Sequence, residues 1–219
     1  MSQSELLQKY SAYCVQNPLH FTEEQLLRIK NDIIKPRSGV VCDEYVEFIL
    51  WKKGLKSRQE YFADYIERLF PPTKYRTLLE AGCGRTARLS RLLADRGYRM
   101  AAIDPCLEKS GTAEAVLLMK ERFLFGKTDL SPYDAVVAQE PCEATEHIIR
   151  ACLAEKKSFC ISLCGSPHPL MDGRTPETVY EWYEYLEELA REHGIVLTPR
   201  LIPGYRTAVM IGIFAQTRS

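Results

Sequence analysis

The residues whose types and spacing hold the most chemistry form one short run, Glu80-Ala81-Gly82-Cys83-Gly84, with Asp104 closing the next apolar stretch. Two glycines one residue apart let a chain turn sharply and approach a ligand with no Cβ in the way. Thr77–Leu79 reads as a strand and Ala87–Arg96 as a helix, so the glycines fall where strand gives way to helix. The amides opening that helix point at the same spot. Met100–Ile103 reads as the next strand, which puts the Asp104 carboxylate beside the glycine loop. A carboxylate there accepts hydrogen bonds from both hydroxyls of a ribose. The chemistry implied is that of a nucleoside-bearing cofactor.

Two cofactors compete. Gly82-x-Gly84-x-x-Ala87 satisfies the permissive dinucleotide fingerprint, and Asp104 would then hold the ribose of NAD in an oxidoreductase. Glu80 argues against it, because a carboxylate two residues before the first glycine repels a diphosphate and suits a cation. The run resembles motif I of the class I S-adenosylmethionine-dependent methyltransferases, acidic-x-Gly-x-Gly-x-Gly, with Thr86 standing at the third glycine. The resemblance implies that Glu80 lies near the cationic methionyl end of the cofactor, with Gly82, Cys83 and Gly84 as its loop. Asp104-Pro105 resembles the family's ribose-binding pair. Thr128-Asp129-Leu130 resembles the segment whose Asp contacts the adenine amine.

Pro132-Tyr133-Asp134 followed by Ala135–Ala138 is similar to that family's fourth strand with its leading aromatic-Asp pair, and Gln139 at its end completes the implied cofactor set. The resemblance covers residues 73–219 and implies methyl transfer to an oxygen, nitrogen or sulfur of a small molecule. The segment Gln139-Glu140-Pro141-Cys142 departs from the family. It matches neither the Asn-Pro-Pro-Tyr type nor the acidic metal-binding set of catechol-type enzymes. A catalytic base is therefore not fixed; Glu140 and His168 are the two candidates. A non-catalytic cofactor-binding protein is the alternative from another class.

Cys83, Cys106, Cys142 and Cys164 all fall just past expected strand ends, and Cys164-x-x-x-His168 adds an imidazole. They come from separate strands without local pairing, so they read as small apolar thiols lining a pocket, and no metal is expected. The eight cysteines form no C-x-x-C pair, and Met1–Glu5 lacks the pattern of a signal peptide, so reduced thiols in the cytoplasm are the expectation.

The elements that must position these residues alternate after Pro71-Pro72. Strands are expected at Thr77–Leu79, Met100–Ile103, Phe123–Phe125, Ala135–Ala138 and Phe159–Leu163, with helices over Ala87–Arg96, Thr112–Glu121 and Glu143–Glu155 between them. A longer helix is expected from Thr175-Pro176 to His193, stopped by Gly194, and then Val196–Thr198 and Ala208–Phe214 joined across Pro203-Gly204. This is the pattern of a doubly wound α/β fold with a seven-stranded, mostly parallel sheet.

Residues 1–72 read as a helical cap ahead of it, with capping boxes at Thr22 and Ser57 and a third helix over Asp43–Lys53. Gly39–Val41 is the one strand candidate in that segment. A lid over the acceptor pocket, an extension of the core and a homodimer contact are its three open roles. The 219 residues carry 29 basic and 29 acidic side chains, so charge gives no indication of a nucleic-acid partner. No apolar run is long enough to cross a bilayer.

Overall fold

The computed structural model describes residues 57–113, 115–195, 197–199 and 208–215. The three helices expected before Ser57, the Gly39–Val41 strand, Val196 and the Pro203-Gly204 turn lie outside the described residues.

The first described helix, α1 (Arg58–Leu69), starts where its sequence says it should. Ser57 Oγ accepts from the Glu60 amide at 3.2 Å and Glu60 Oε2 accepts from the Ser57 amide at 2.8 Å, a complete capping box. Then follow β1 (Thr77–Ala81), α2 (Arg88–Ala94), β2 (Arg99–Ile103), β3 (Gly111–Ala113), β4 (Val116–Met119) and β5 (Ala135–Gln139). A 3-10 turn over Cys142–Ala144 leads into α3 (Thr145–Ala154), followed by β6 (Ser158–Ser162), α4 (Val179–Arg191), β7 (Leu197–Pro199) and β8 (Ala208–Gly212).

These strands make one sheet in the order β3-β4-β2-β1-β5-β6-β8-β7. β4, β2, β1, β5 and β6 run parallel, while β8 is antiparallel to both β6 and β7. Both faces of the parallel strands are covered, so their apolar residues run continuously instead of alternating with polar ones. Leu78, Met100 and Val137 face Tyr61, Phe62 and Ile66 of α1 and Leu89 and Leu93 of α2. Leu79, Ile103, Val136 and Phe159 face Ile149 and Cys152 of α3 and Trp182 and Leu186 of α4. This is the doubly wound, class I methyltransferase-like sheet that the resemblance implies, seven strands with a short eighth, β3, on its edge.

The structure differs from the sequence reading in three places. Thr112–Glu121 is not a helix: Thr112 pairs with Leu117 and Ala113 with Val116 in a tight antiparallel hairpin, with Ala115 at φ +62° in its turn. Val116–Met119 fills the slot beside β2, so a helix-forming composition yields to the register of the sheet. Phe123–Phe125 is consequently not the third parallel strand but a loop, with Phe123 in the core and Phe125 exposed. The long helix begins at Val179 and not at Thr175-Pro176, because Thr178 is extended (φ −126°, ψ 157°) and its side chain accepts from the Glu181 amide as the N-cap. Among the described residues no helix is long and apolar enough to cross a membrane.

The last helix of the front segment is part of the core. Tyr61, Phe62, Ala63 and Ile66 are completely buried against the sheet. Burying side chains such as Phe62 and Ile66 contributes about 1.5–3 kcal/mol each, so a division of the chain at residue 72 would open the core.

Candidate functional site

β1 delivers the glycine loop to the carboxyl edge of the sheet. Gly82 has φ +72°, and a Cβ there would stand 2.7 Å from Pro141 Cβ and 2.8 Å from Pro141 Cα, so both backbone conformation and contact exclude a side chain. Gly84 also lies at positive φ (+68°), but a Cβ on it would meet nothing within 4 Å; it borders open space. The Gly82 amide donates to Ile103 O at 2.9 Å and the Gly84 amide to Asp104 Oδ2 at 2.9 Å. Asp104 Oδ1 accepts from the Cys106 amide at 2.7 Å. Asp104 thus pins the glycine loop to the end of β2, and each of its oxygens keeps a lone pair for a ligand.

The open space is a cavity of about 510 Å³, within the range of small-molecule sites. Gly82, Gly84, Asp104, Pro105 and Cys106 form one wall; Arg122, Phe123 and Leu124 form a second. The third consists of Glu140–Ala144, His147 and His168. Five of the implied cofactor residues, Glu80, Cys83, Asp129, Leu130 and Gln139, do not line it.

Glu80 sits behind the loop. It is 3% exposed, and its Oε2 accepts from the Ser90 amide at 2.8 Å and the Ser90 hydroxyl at 2.6 Å. Helix α2 begins after Ala87, which is left-handed and offers no side-chain cap. The strand carboxylate does that work instead, against the positive end of the helix dipole. Burial pushes the Glu80 carboxyl up to about 7, against the lowering effect of the Ser90 bonds.

Cys83 is half-buried with its thiol toward Gly84 O (3.5 Å), and burial pushes its titration upward. Leu130 is fully buried in the core on the α3–α4 face. Asp129 lies at the opposite edge of the sheet from the cavity. Its Oδ1 accepts from the Ser131 amide at 2.8 Å in a local turn, and that bond, with the Lys157 charge, holds its carboxyl below the usual range. The misplacement follows from the third strand. Because β4 ends at Met119, the segment at the carboxyl edge is Lys120–Leu124, and Arg122, Phe123 and Leu124 occupy the wall that Asp129 was expected to supply.

The loop after β5 is held in a costly conformation. Glu140 and Cys142 both have φ +52°, with Pro141 between them. Glu140 forms an ion pair with Arg58 of α1, and Gln139 Nε2 donates to Arg58 O at 3.4 Å. His147 on α3 accepts from the Phe125 amide at Nδ1 (3.2 Å), and burial pulls its titration down. Sequence reasoning missed it; its signal was its place in the first turn of a helix that follows a strand end. His168 packs edge-on against Trp182 with centroids 5.3 Å apart, burial pulls its titration down, and its buried Nε2 has no hydrogen-bond partner.

The thiols are not scattered. Cys142, Cys164 and His168 come together with ligand atoms all within 4.8 Å of one another, because β5 and β6 are neighbours and both loops turn inward at the same edge. Burial, then the Cys164 thiol, pushes the Cys142 thiol up to about 11.

No known family model matches the sequence, and no curated protein does. Solved structures of similar architecture include methyltransferases. One is the Burkholderia thailandensis 1,6-didemethyltoxoflavin-N1-methyltransferase with 1,6-didemethyltoxoflavin and S-adenosylhomocysteine bound: 14% identity, 90% of this chain and 92% of that one, TM-score 0.45. Others are a putative S-adenosylmethionine-dependent methyltransferase from Listeria monocytogenes (13%, 71% and 98%, 0.43) and an O-methyltransferase family protein from B. thailandensis (13%, 97% and 72%, 0.41). The fold assignment rests on the strand order and not on these likenesses.

Proposed function

We propose that this protein binds S-adenosylmethionine at the carboxyl edge of the sheet and transfers its methyl group to a small molecule. The observation that carries the reading is the Glu80 carboxylate at the N-terminus of α2. A dinucleotide site places its pyrophosphate on the free amides of that helix. Here the Ser90 amide is already taken by the buried Glu80 carboxyl and is not free for a pyrophosphate. A bound sulfonium and ammonium favour the ionised form of Glu80, which a diphosphate would oppose.

The cofactor, when bound, supplies an already activated methyl group. The chain's own residues then bind, align and exclude water. Gly84 leaves the space a cofactor needs, Asp104 takes its ribose hydroxyls, and Phe123 with Leu124 offers an apolar wall to its base. Glu140, spent on Arg58, is not free to act as a base.

α1 begins at the carboxyl edge, where Arg58 joins Gln139 and Glu140. Reduced thiols fit a cytoplasmic location; all six described cysteines are free.

Titration calorimetry with S-adenosylmethionine, S-adenosylhomocysteine and NAD tests the proposal. Binding of the first two without NAD is expected; NAD binding alone would replace this reading with an oxidoreductase. Methyl transfer to a small acceptor, followed by mass spectrometry, separates an enzyme from a binding protein.

A further inference from the structure

At the carboxyl edge of the sheet, the loops after β5 and β6 bring together two sulfurs and an imidazole. Cys142 and His168 line the cavity, and Cys164 stands behind them with its carbonyl fixed by the Tyr183 hydroxyl at 2.9 Å. The three ligand atoms lie within 4.8 Å of one another. Tetrahedral zinc, with bonds of about 2.0–2.3 Å, needs its ligand atoms roughly 3.5–3.8 Å apart, so closure requires about an ångström of side-chain movement.

One further feature points to a ligand. The His168 Nε2 is buried and has no hydrogen-bond partner, a cost that a bound cation would remove. Cys142, at φ +52°, opens the 3-10 turn that leads into α3 and lines the cavity beside His168.

We propose that Cys142, Cys164 and His168 form a three-ligand site for a zinc-class divalent cation, with the fourth position open to the cavity. Two thiolates and an imidazole are a soft-to-borderline set that selects such a metal over magnesium or calcium. Three protein ligands with an open position are the pattern of a site that takes water or a heteroatom of a bound molecule, not of a closed structural site. A disulfide between Cys142 and Cys164 would use the sulfurs and leave the imidazole nitrogen still unpartnered. The site stands independently of methyl transfer, since its ligands are this chain's own.

Cobalt substitution tests it in the full chain, reduced and stripped of metal with a chelator. One equivalent of Co²⁺ should give an intense near-ultraviolet thiolate-to-cobalt band with visible bands of tetrahedral strength, and one equivalent of Zn²⁺ should abolish them. Cys142→Ser, Cys164→Ser and His168→Ala should each weaken Co²⁺ binding at least ~10-fold, the scale of losing one ligand. Cys106→Ser, which removes an exposed thiol on the opposite wall, should leave the spectrum unchanged. Absence of the band in reduced protein overturns the proposal. So does its persistence in the Cys142→Ser/Cys164→Ser double variant, or a Cys142–Cys164 disulfide found by mass spectrometry in protein purified without reductant.

Discussion

The two edges of the sheet both carry cavities, and the larger is at the wrong one for a ligand. At the amino edge, about 610 Å³ is bordered by Lys74, Arg76, Tyr133, Asp134, Lys156 and Lys157. Two of its charged groups are already engaged. Asp134 Oδ2 accepts from the Arg76 amide at 2.7 Å, the Thr77 amide at 2.8 Å and the Thr77 hydroxyl at 3.0 Å, and Lys157 Nζ donates to Tyr133 O at 2.8 Å. Its left-handed residues, Ala115 and Lys156, sit in a hairpin turn and just past a helix end, where such backbone is routine.

At the carboxyl edge, by contrast, Glu140 and Cys142 are strained, Gly84 faces open space, and a histidine nitrogen is buried without a partner. Unspent hydrogen-bonding capacity and stored strain locate the site here; volume does not.

The sharpest break in the symmetry of the two edges is Gly84→Val. The side chain enters the carboxyl-edge cavity from a position at φ +68°, and cofactor affinity should fall ~100-fold or more while circular dichroism shows a folded chain. Asp134→Ala should do the reverse. It removes three hydrogen bonds to the start of β1, which costs about 4 kcal/mol in urea unfolding, and it leaves cofactor affinity in the folded protein unchanged.

Glu80 gives the carboxyl edge a pH signature. Its folded-state value, about 7, lies above the ordinary 4.5, so folding favours the protonated form. The stability this contributes is fully present below the ordinary value and is lost as pH rises through the folded one, a decline of roughly 3 kcal/mol. Unfolding followed from acid to neutral pH should show that decline in the native protein and not in Glu80→Gln. The smallest effect belongs to Asp104→Ala: a ~10–100-fold loss of cofactor affinity, read by calorimetry, from the missing ribose acceptor and the released glycine loop.

The same asymmetry governs what the sequence could reveal. β1, α2 and β2 are legible because the glycine pair and Asp104 need one backbone path, and local and tertiary preferences agree along it. From Gly111 to Leu130 they disagree. Ala113, Leu117, Leu118 and Met119 favour a helix, yet the open edge of β2 takes Val116–Met119 as a strand with Leu117 turned to solvent. That single inversion moves the third strand forward and sends the expected adenine contact, Asp129, to the amino edge.

Cys142, Cys164 and His168 were legible as residues past strand ends, but their convergence was not. Cys142 joins the Cys164-x-x-x-His168 loop only through the pairing of β5 with β6, and no spacing along the chain records that pairing. Glu80 was legible as important, but its partner was not, since a carboxylate on a strand capping the following helix leaves no local signature.

The most direct test of the account is backbone amide NMR of the full chain titrated with S-adenosylhomocysteine. The account predicts shifts at Gly82, Gly84, Asp104 and Phe123–Leu124, and none at Arg76, Thr77, Ser131 or Asp134. Shifts confined to the second group would place the ligand at the amino edge and contradict it.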